Sequence, residues 1–255
     1  MDTGNITKPL KPLTWYKNLD SLKGRAESGA FLIEGERAVR QIADHHGTEI
    51  VEILATLEMA SIIPGFPVRQ LTSKQIASIC STKTPQGIMA VVRLPLDSYS
   101  AKLPENPGPK ILLLEHVQDP GNVGTIIRTA AAFGFSGIIM SGKTADPFSA
   151  KAIQSTAGSV LSLWIRRTES YTSLAQSLSG QGYKIVAADL NGTSTAGLLP
   201  GIPRVVLALG NEASGLSATV IQMADYRVKI PIDRSKSESL NVAVSGAILM
   251  YFALS

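Results

Sequence analysis

This sequence of 255 residues has only one cysteine, and it lacks long apolar runs and a strong charge imbalance. The one cysteine, Cys80, excludes a disulfide within the chain. The longest apolar run, Val242 to Leu254, is shorter than the ~20 residues that a membrane-spanning helix needs, which favours a buried core helix. The excess of 24 basic over 20 acidic residues gives a net charge of only +4, so no polybasic arm for nucleic acid is indicated.

The start of the chain also lacks the pattern of a secretion signal. MDTGNITKPLKPLTWYKNL contains polar residues and two prolines where a signal peptide would carry an apolar stretch. Together with the single cysteine, this predicts a cytoplasmic protein. The composition, with 44% apolar and 17% charged residues, is that of an ordinary globular chain, and the length predicts about two domains.

A proline-containing stretch, PLDSYSAKLPENPGP, separates two apolar-rich regions and predicts a linker. The expected boundaries are a first domain over 1–96, a linker over 97–109 and a second domain over 110–255. In both domains short apolar runs alternate with helical stretches, which predicts an α/β fold. In the second domain the runs are nearly continuous, as in a parallel sheet covered on both faces: ILLLEH, GIIMS, LWIRR, KIVAADL, VVLALG and RVKIPI.

Cations and aromatic rings coincide near the N-terminus. The residues concerned are Lys8, Lys11, Lys17, Lys23, Arg25, Trp15 and Tyr16. Cations can bind phosphates and rings can stack on bases, so RNA contact is one interpretation of this segment. A solvated tail is the other.

A nucleotide-binding signature needs to be weighed, because GIIMSGKT, residues 137–144, matches the P-loop pattern letter for letter. Three of its four variable residues, IIMS, are apolar, however, and the four are themselves the predicted strand. They therefore cannot turn their amides onto a phosphate. We expect Lys143 merely to follow a strand; in the alternative of a nucleotide hydrolase, Asp189 would end the Walker-B strand.

Three polar loops, each following an apolar strand, are the strongest functional signal, since open α/β sheets bind ligands at the carboxyl ends of their strands. In the first loop, Pro120 and Gly121 turn the chain and Asn122 is expected to cap the next helix. Arg128 lies one and a half turns inside that helix, and Gly124 is expected to leave its guanidinium a clear path toward Asn122. The alternative is a simple helix cap beside a solvated arginine.

The second loop, GNEASGLS, leaves a strand at Gly210 and offers Glu212 as its only carboxylate. The third loop leads from Ile232 into the final helix through the tripeptide SLN. Ser239 is expected to cap that helix, which would leave both edges of the Asn241 amide free for a ligand.

Together these motifs resemble those of the SpoU-type RNA ribose methyltransferases, TrmH-like members of the SPOUT superfamily. The strings DPGNVGTIIRTA, AIQSTAGSV, LALGNEASG and SLNVAVSGAIL are similar to the family's catalytic domain, and FLIEGERAV and TPQGIMAVV to its N-terminal RNA-substrate-binding domain. The resemblance implies a C-terminal SPOUT α/β domain with a parallel sheet and a trefoil knot, plus a smaller N-terminal α/β substrate-binding domain. It also implies methyl transfer from S-adenosylmethionine to a ribose 2′-hydroxyl of RNA, by a homodimer.

The resemblance further implies roles for individual residues. Arg128 is similar to the family's catalytic arginine. The polar residues that the resemblance places around the acceptor and the cofactor are Asn122, Glu212, Ser239 and Asn241. Because a guanidinium almost never loses its proton, we expect Arg128 to orient the hydroxyl, bind a neighbouring phosphate and stabilise an alkoxide rather than act as a base. The cofactor is expected to lie against strand ends whose amides read the adenine edge: Leu209, Gly210, Ile230, Ile232, Leu240 and Asn241.

Several alternatives stay open at this point. Ribosomal RNA is the expected substrate, because the N-terminal domain resembles that of ribosomal-RNA members, and tRNA is the alternative. A P-loop hydrolase and a catalytically silent RNA-binding relative are the rival functions. The three histidines show no metal-ligand spacing, so no metal is expected. No membrane partner is expected either. The stretch DRSKSE before Ser239 is slightly longer than in the family and lacks the usual glycine, which leaves the geometry of this loop open.

Overall fold

Two units, Met1–Leu94 and Pro95–Ser255, make up the chain in the computed structural model, which describes residues 11–82 and 84–254. The first unit contains the helices α1 Leu13–Asn18, α2 Leu22–Ser28, α3 Glu36–His46 and α4 Ser73–Ile79. Its strands are β1 Ala30–Glu34, β2 Ile50–Ala55, β3 Val68–Gln70 and β4 Ile88–Arg93. They form one sheet in the order β1-β4-β2-β3, in which only β2 and β3 are parallel.

The second unit alternates strands and helices, as its sequence pattern predicts. Its strands are β5 Lys110–Leu114, β6 Gly137–Ser141, β7 Trp164–Thr168, β8 Lys184–Ala188, β9 Ser194–Thr195, β10 Val205–Leu209 and β11 Tyr226–Lys229. Its helices are α5 Pro120–Ala132, α6 Ala150–Thr156, α7 Tyr171–Gly180, α8 Ala218–Met223 and α9 Val242–Phe252. Short 3-10 helices cover Ser159–Leu161 and Ala196–Gly201.

The predicted parallel sheet is confirmed. Its order is β7-β6-β5-β10-β8-β11-β9, and every described pairing in it is parallel. The central strands β6 and β10 are buried along their whole length, because helices cover both faces and each side chain faces a core. The trefoil knot implied by the resemblance stays a prediction. Within the described residues, no helix is both long and apolar enough to cross a membrane.

The stretch expected as a linker, 97–109, packs on the second unit. The carbonyl of Ser98 accepts a hydrogen bond from the Arg167 amide (2.8 Å), and that of Pro107 accepts one from the Trp164 indole (2.9 Å). The Tyr183 hydroxyl donates to the Gly108 carbonyl (2.6 Å). These donors are at least partly shielded from water and need acceptors, and the proline-containing segment supplies them through its carbonyls.

The described part of the basic segment near the N-terminus, from residue 11 onward, is folded rather than a solvated tail. Residues 13–28 form α1 and α2, and Tyr16 is fully buried with its hydroxyl donating to Glu52 (2.7 Å). Arg25 is also buried, and its Nη1 donates to the carbonyls of Leu19 and Asp20 (2.9 and 2.8 Å). Neither side chain is available to RNA. Lys8 lies outside the described residues.

Gly124 has a packing role that differs from the one expected from the sequence. A Cβ atom at this position would lie 2.2 Å from the Ala152 carbonyl oxygen and 2.6 Å from the Ser155 Cβ. The glycine therefore lets α5 approach α6 closely. The expectation that it clears a path for the Arg128 side chain is wrong, because the space beside Gly124 is filled by α6.

We expect Gly124→Ala to lower the free energy of unfolding by about 2 kcal/mol, because the added methyl group forces the two helices apart. Gly180→Ala is the matched control: this helical glycine has open space around its Cβ position, so alanine should raise stability by about 0.5 kcal/mol through helix propensity. Chemical denaturation of both variants measures the difference. Equal stability of Gly124→Ala and the wild type would contradict close packing at this position.

Candidate active site

The three polar loops predicted from the sequence lie on one edge of the second unit's sheet. Strands β5 and β10 are parallel neighbours, with Leu114 paired to Leu209, so the loops that follow them emerge side by side. The third loop follows β11, whose neighbour β8 also pairs with β10. The carboxyl ends of these strands therefore bring distant parts of the chain together.

A chain of side-chain hydrogen bonds connects the three loops. The Asn122 amide donates from Nδ2 to Glu212 Oε1 (3.0 Å), across 90 residues of sequence. Asn241 Nδ2 donates to Asn122 Oδ1 (3.0 Å), across 119 residues. Asn241 Oδ1 in turn accepts from the backbone amides of Ala243 and Val244 (2.8 and 3.3 Å). Glu212, Asn122 and Asn241 thus form one polar network.

Glu212 is the charged end of this network. Besides Asn122, its carboxylate accepts hydrogen bonds from the backbone amides of Gln118 (3.3 Å) and Asp119 (3.4 Å). Partial burial by itself would raise the pKa of Glu212, but hydrogen bonds from Asn122 and from backbone amides outweigh it and lower the pKa. Glu212 is therefore a carboxylate at neutral pH that holds the first loop, and it is poorly suited to accept a proton.

Both predicted helix caps are wrong by a few residues. Helix α5 begins at Pro120, and its cap is Asp119, whose Oδ1 accepts from the Gly121 amide (2.8 Å). Asn122 lies in the first turn, where its amide is free to reach across to the other loops. At α9 the cap is Asn241 instead of Ser239.

The Asn241 amide is consequently occupied on both edges, contrary to the expectation that it is free for a ligand. Its oxygen caps α9 and its nitrogen donates to Asn122. The Ser239 hydroxyl is the group left available: the side chain is exposed, and it makes no hydrogen bond with the residues that the structure describes. Only the carbonyl of Ser239 is used, as acceptor for Ser237 Oγ (2.8 Å).

A cavity of about 520 Å³ opens beside the network. Five of the six residues predicted to bind a cofactor line it: Leu209, Gly210, Ile230, Ile232 and Leu240. Glu212 and Ser239 line it as well, whereas Asn122, Arg128 and Asn241 do not. The volume is within the range of roughly 300–1,000 Å³ typical of small-molecule sites, and the mixture of apolar side chains and strand-end backbone suits an aromatic ring with polar edges.

Sequence reasoning missed a fourth loop at this cavity, the one after β8. Asp189 and Arg227 both line the cavity and form an ion pair, with Arg227 Nε and Nη2 at 2.8 and 2.6 Å from Asp189 Oδ2. The signal was present, since KIVAADL is an apolar strand that ends in a carboxylate. A carboxylate in this position fits the Walker-B strand of a nucleotide hydrolase equally well, so its place at the cavity was not recognised.

Residues 109–251, more than half of the chain, match the model described as the SpoU rRNA Methylase family. The chain belongs to this family. Residues 15–90 match the MRM3-like substrate binding domain.

Individual SpoU relatives are similar over nearly the whole chain. The 23S rRNA (guanosine(2553)-2'-O)-methyltransferase RlmP of Bacillus subtilis (strain 168) is 32% identical over 92% of this chain and 93% of its own. The AdoMet-bound rRNA methyltransferase from Sinorhizobium meliloti has a TM-score of 0.79 at 29% identity, covering 97% of this chain and 95% of that one. The SpoU methyltransferase AviRb from Streptomyces viridochromogenes, in complex with AdoMet, shares the fold, with a TM-score of 0.82 at 24% identity and 95% and 96% coverage.

Arg128, which the SpoU resemblance marks as catalytic, stands apart from the cavity of its own chain. It is exposed on α5, and its side chain makes no hydrogen bond or ion pair with other residues in the described ranges 11–82 and 84–254. The network of Glu212, Asn122 and Asn241 therefore forms within one chain, and the guanidinium is not part of it.

The P-loop interpretation fails in this SpoU fold. Residues 137–141 are the buried strand β6, as predicted, and their amides are not available to a phosphate. Lys143 follows this strand and is exposed. Among the residues that the structure describes, no group of three or more His, Cys, Asp or Glu side chains could hold a metal ion.

We expect the carboxyl group of Glu212 to titrate with a midpoint below 4.5, its ordinary value, because three donors stabilise the ionised form. Asn122→Ala should raise the midpoint, since the Asn122 amide is the strongest of these stabilising groups. Carbon-13 NMR of the side-chain carboxyl against pH measures both. Thr125→Ala, a change on the exposed side of the same helix, is the control and should leave the midpoint unchanged. A wild-type midpoint at or above 4.5 would contradict the network.

Proposed function

We propose that the protein is an S-adenosylmethionine-dependent methyltransferase that modifies a ribose 2′-hydroxyl in ribosomal RNA. The observation that carries this proposal is the meeting of three SpoU motif loops in one hydrogen-bonded network, beside a cavity that the second and third of these loops line. RlmP of Bacillus subtilis and the Sinorhizobium meliloti enzyme, both rRNA methyltransferases by name, support ribosomal RNA over tRNA. The similarity to the MRM3-like substrate binding domain supports RNA binding by the first unit.

The cavity residues suit S-adenosylmethionine. The apolar side chains of Ile230, Ile232 and Leu240 would contact the adenine ring, and the backbone at Leu209 and Gly210 would bind polar edges of the cofactor. When bound, S-adenosylmethionine supplies an electrophilic methyl group on a sulfonium. The AdoMet-bound SpoU structures of similar fold support this assignment.

The protein's own groups then have to bind and orient the ribose hydroxyl, which is a poor nucleophile. Arg128 suits this task because its guanidinium stays charged, binds phosphate with two donors and stabilises a developing alkoxide. Ser239 lines the cavity, its hydroxyl makes no hydrogen bond with the described residues, and it would hydrogen-bond the acceptor or the cofactor. Glu212, Asn122 and Asn241 would act by fixing the loops that carry these groups, since their hydrogen-bonding capacity is largely taken up by one another.

We propose that the enzyme works as a homodimer through the exposed face of α9. Val244, Tyr251 and Phe252, at positions i, i+7 and i+8 of the helix, are 49%, 60% and 39% exposed. The Tyr251 ring also packs edge-on against Phe133 at the end of α5 (centroids 6.1 Å apart), which extends the apolar surface toward that helix. A contiguous apolar patch of this kind is typical of an interface.

Dimerisation would also account for the position of Arg128. The arginine is exposed on α5, the helix that packs against α9, so an interface on α9 would bring α5 close to a second copy. Arg128 would then reach the cavity of the partner subunit. We also propose that the second unit contains the trefoil knot implied by the resemblance. We further propose a cytoplasmic location, because ribosomal RNA is made and assembled in the cytoplasm of bacteria.

Incubation of the purified protein with tritiated S-adenosylmethionine and unmodified ribosomal RNA or tRNA tests the function. We expect label in ribosomal RNA, at a ribose that resists alkaline cleavage. Label in tRNA alone would contradict the proposal that ribosomal RNA is the substrate. A protein that binds RNA but neither binds cofactor nor transfers label would instead be a catalytically silent relative.

We predict that Arg128→Ala lowers the rate of methyl transfer by about 100-fold or more while cofactor affinity stays within about twofold, because the guanidinium acts on the acceptor and the transition state. Lys143→Ala, which removes an exposed cation of the same unit, is the control and should keep full activity. Single-turnover kinetics and calorimetry measure the two effects. Wild-type turnover in Arg128→Ala would remove this residue from the mechanism.

Mixed dimers test whether Arg128 acts across the interface. Gly210→Val should block cofactor binding, because even a Cβ atom there would lie 2.3 Å from the Gly215 backbone. Neither Arg128→Ala nor Gly210→Val homodimers should be active. A heterodimer of the two, isolated through different affinity tags, should recover about half of the wild-type activity, since one intact cavity meets one intact arginine. An inactive heterodimer would contradict action across the interface.

A further inference from the structure

One wall of the cavity is the segment between β10 and α8, residues 210–217, which we name the wall loop. Residues 210–216 of it all line the cavity. Its turn is tight: Asn211 and Gly215 exchange two backbone hydrogen bonds of 3.0 Å, and Gly215 has a φ of 69°. Both hydrogen bonds are internal to the wall loop, so they fix the shape of the turn. The position of the wall loop relative to the sheet depends on other contacts.

Three side-chain links attach the wall loop to the segment that follows β5. Asn211 Nδ2 donates to the carbonyl of His116 (2.9 Å), and Glu212 accepts from the first loop as described above. The third link joins Ser217, the last residue of the wall loop, to Glu115. Glu115 is completely buried, whereas Glu212 is exposed, so the third link is the one shielded from water.

The Glu115 carboxylate has three donors. Its Oε2 accepts from the Ser217 amide (2.7 Å), and its Oε1 accepts from Ser217 Oγ (2.7 Å) and from the Tyr171 hydroxyl (2.6 Å). The Glu115 amide also donates to the carbonyl of Leu209, a cavity residue (2.9 Å). A buried carboxylate is costly unless it is fully hydrogen-bonded, and bonds to an ionised acceptor are short and strong. Glu115 therefore ties β5, α7 and the wall loop rigidly together.

We propose that Glu115 is a positioning residue for the cofactor cavity. It holds the wall loop at the distance from the other walls that the cofactor requires, although Glu115 itself does not line the cavity. This inference rests on the proposed function in one respect, namely that the cavity binds S-adenosylmethionine. Replacement of Glu115 would leave the Ser217 amide and two hydroxyls without their acceptor, and the wall loop would lose its buried attachment.

Glu115→Gln is the decisive variant, because glutamine keeps the volume but replaces one acceptor oxygen with a donor. We expect affinity for S-adenosylhomocysteine, the product of methyl transfer, to fall about tenfold by calorimetry. We also expect faster hydrogen exchange in residues 210–217 of the ligand-free protein. Tyr171→Phe removes one donor and leaves Ser217 in place, so its effect on both quantities should be in the same direction and smaller, about threefold in affinity.

Tyr183→Phe is the matched control for a merely structural effect. The Tyr183 side chain is buried in the same unit, and its hydroxyl donates to the Gly108 carbonyl (2.6 Å), but it does not line the cavity. This change should lower the melting temperature without altering affinity or exchange in the wall loop. Comparison of Glu115→Gln with Tyr183→Phe therefore separates a general loss of stability from displacement of the wall loop.

Affinity within twofold of the wild type, together with unchanged exchange in residues 210–217, would overturn the proposal. If Glu115→Gln does not fold, Tyr171→Phe decides by the same two measurements. A wild-type protein that binds no S-adenosylhomocysteine would contradict the proposed function, and exchange in the ligand-free wall loop would still decide the role of Glu115.

Discussion

The site depends on the hydrogen-bond chain from Glu212 through Asn122 to Asn241, whose direction is fixed at both ends. An ionised carboxylate can only accept, so Asn122 must present its NH₂ group to Glu212 and its oxygen to Asn241. Asn241 must then present its own NH₂ group, which leaves its oxygen for the amides at the start of α9. The carboxylate at one end and the helix terminus at the other thus require the same orientation of the Asn122 and Asn241 amides. If either amide were turned over, it could not hydrogen-bond both of its neighbours.

Much of the fold could be predicted from the sequence because its elements leave local signals. A strand buried on both faces must be apolar at nearly every position, so GIIMS and VVLALG were recognisable as β6 and β10. The two-residue edge strand Ser194–Thr195 has no such requirement and left no signal. The helix starts were misjudged for a related reason. Asp119 and Asn241 compete for capping with Asn122 and Ser239 nearby, and the choice depends on partners in other loops that a local pattern does not contain.

The site itself could be predicted only where polar residues interrupt apolar strands. This signal led to the loops that carry Asn122, Glu212 and Asn241. The role expected for Gly124 was wrong for another reason: it was based on the direction of side chains within α5, which does not reveal that α6 packs against this glycine. Glu115 escaped notice because its donors lie 56 and 102 residues away, at Tyr171 and Ser217. Arg128 raises a different difficulty: its side chain has no polar partner among the described residues, and the role proposed for it depends on a second copy, which the pattern of one chain does not describe.

A double-mutant cycle between Asn122 and Asn241 tests the central claim, that these side chains act as one network, most directly. The rates of methyl transfer would be measured for Asn122→Ala, Asn241→Ala and the double variant at saturating cofactor. We expect the double variant to be scarcely slower than the slower single variant, with a coupling energy of roughly 1 kcal/mol or more. Losses that multiply, with coupling near zero, would contradict the network and leave the hydrogen bond between the two amides without a functional role.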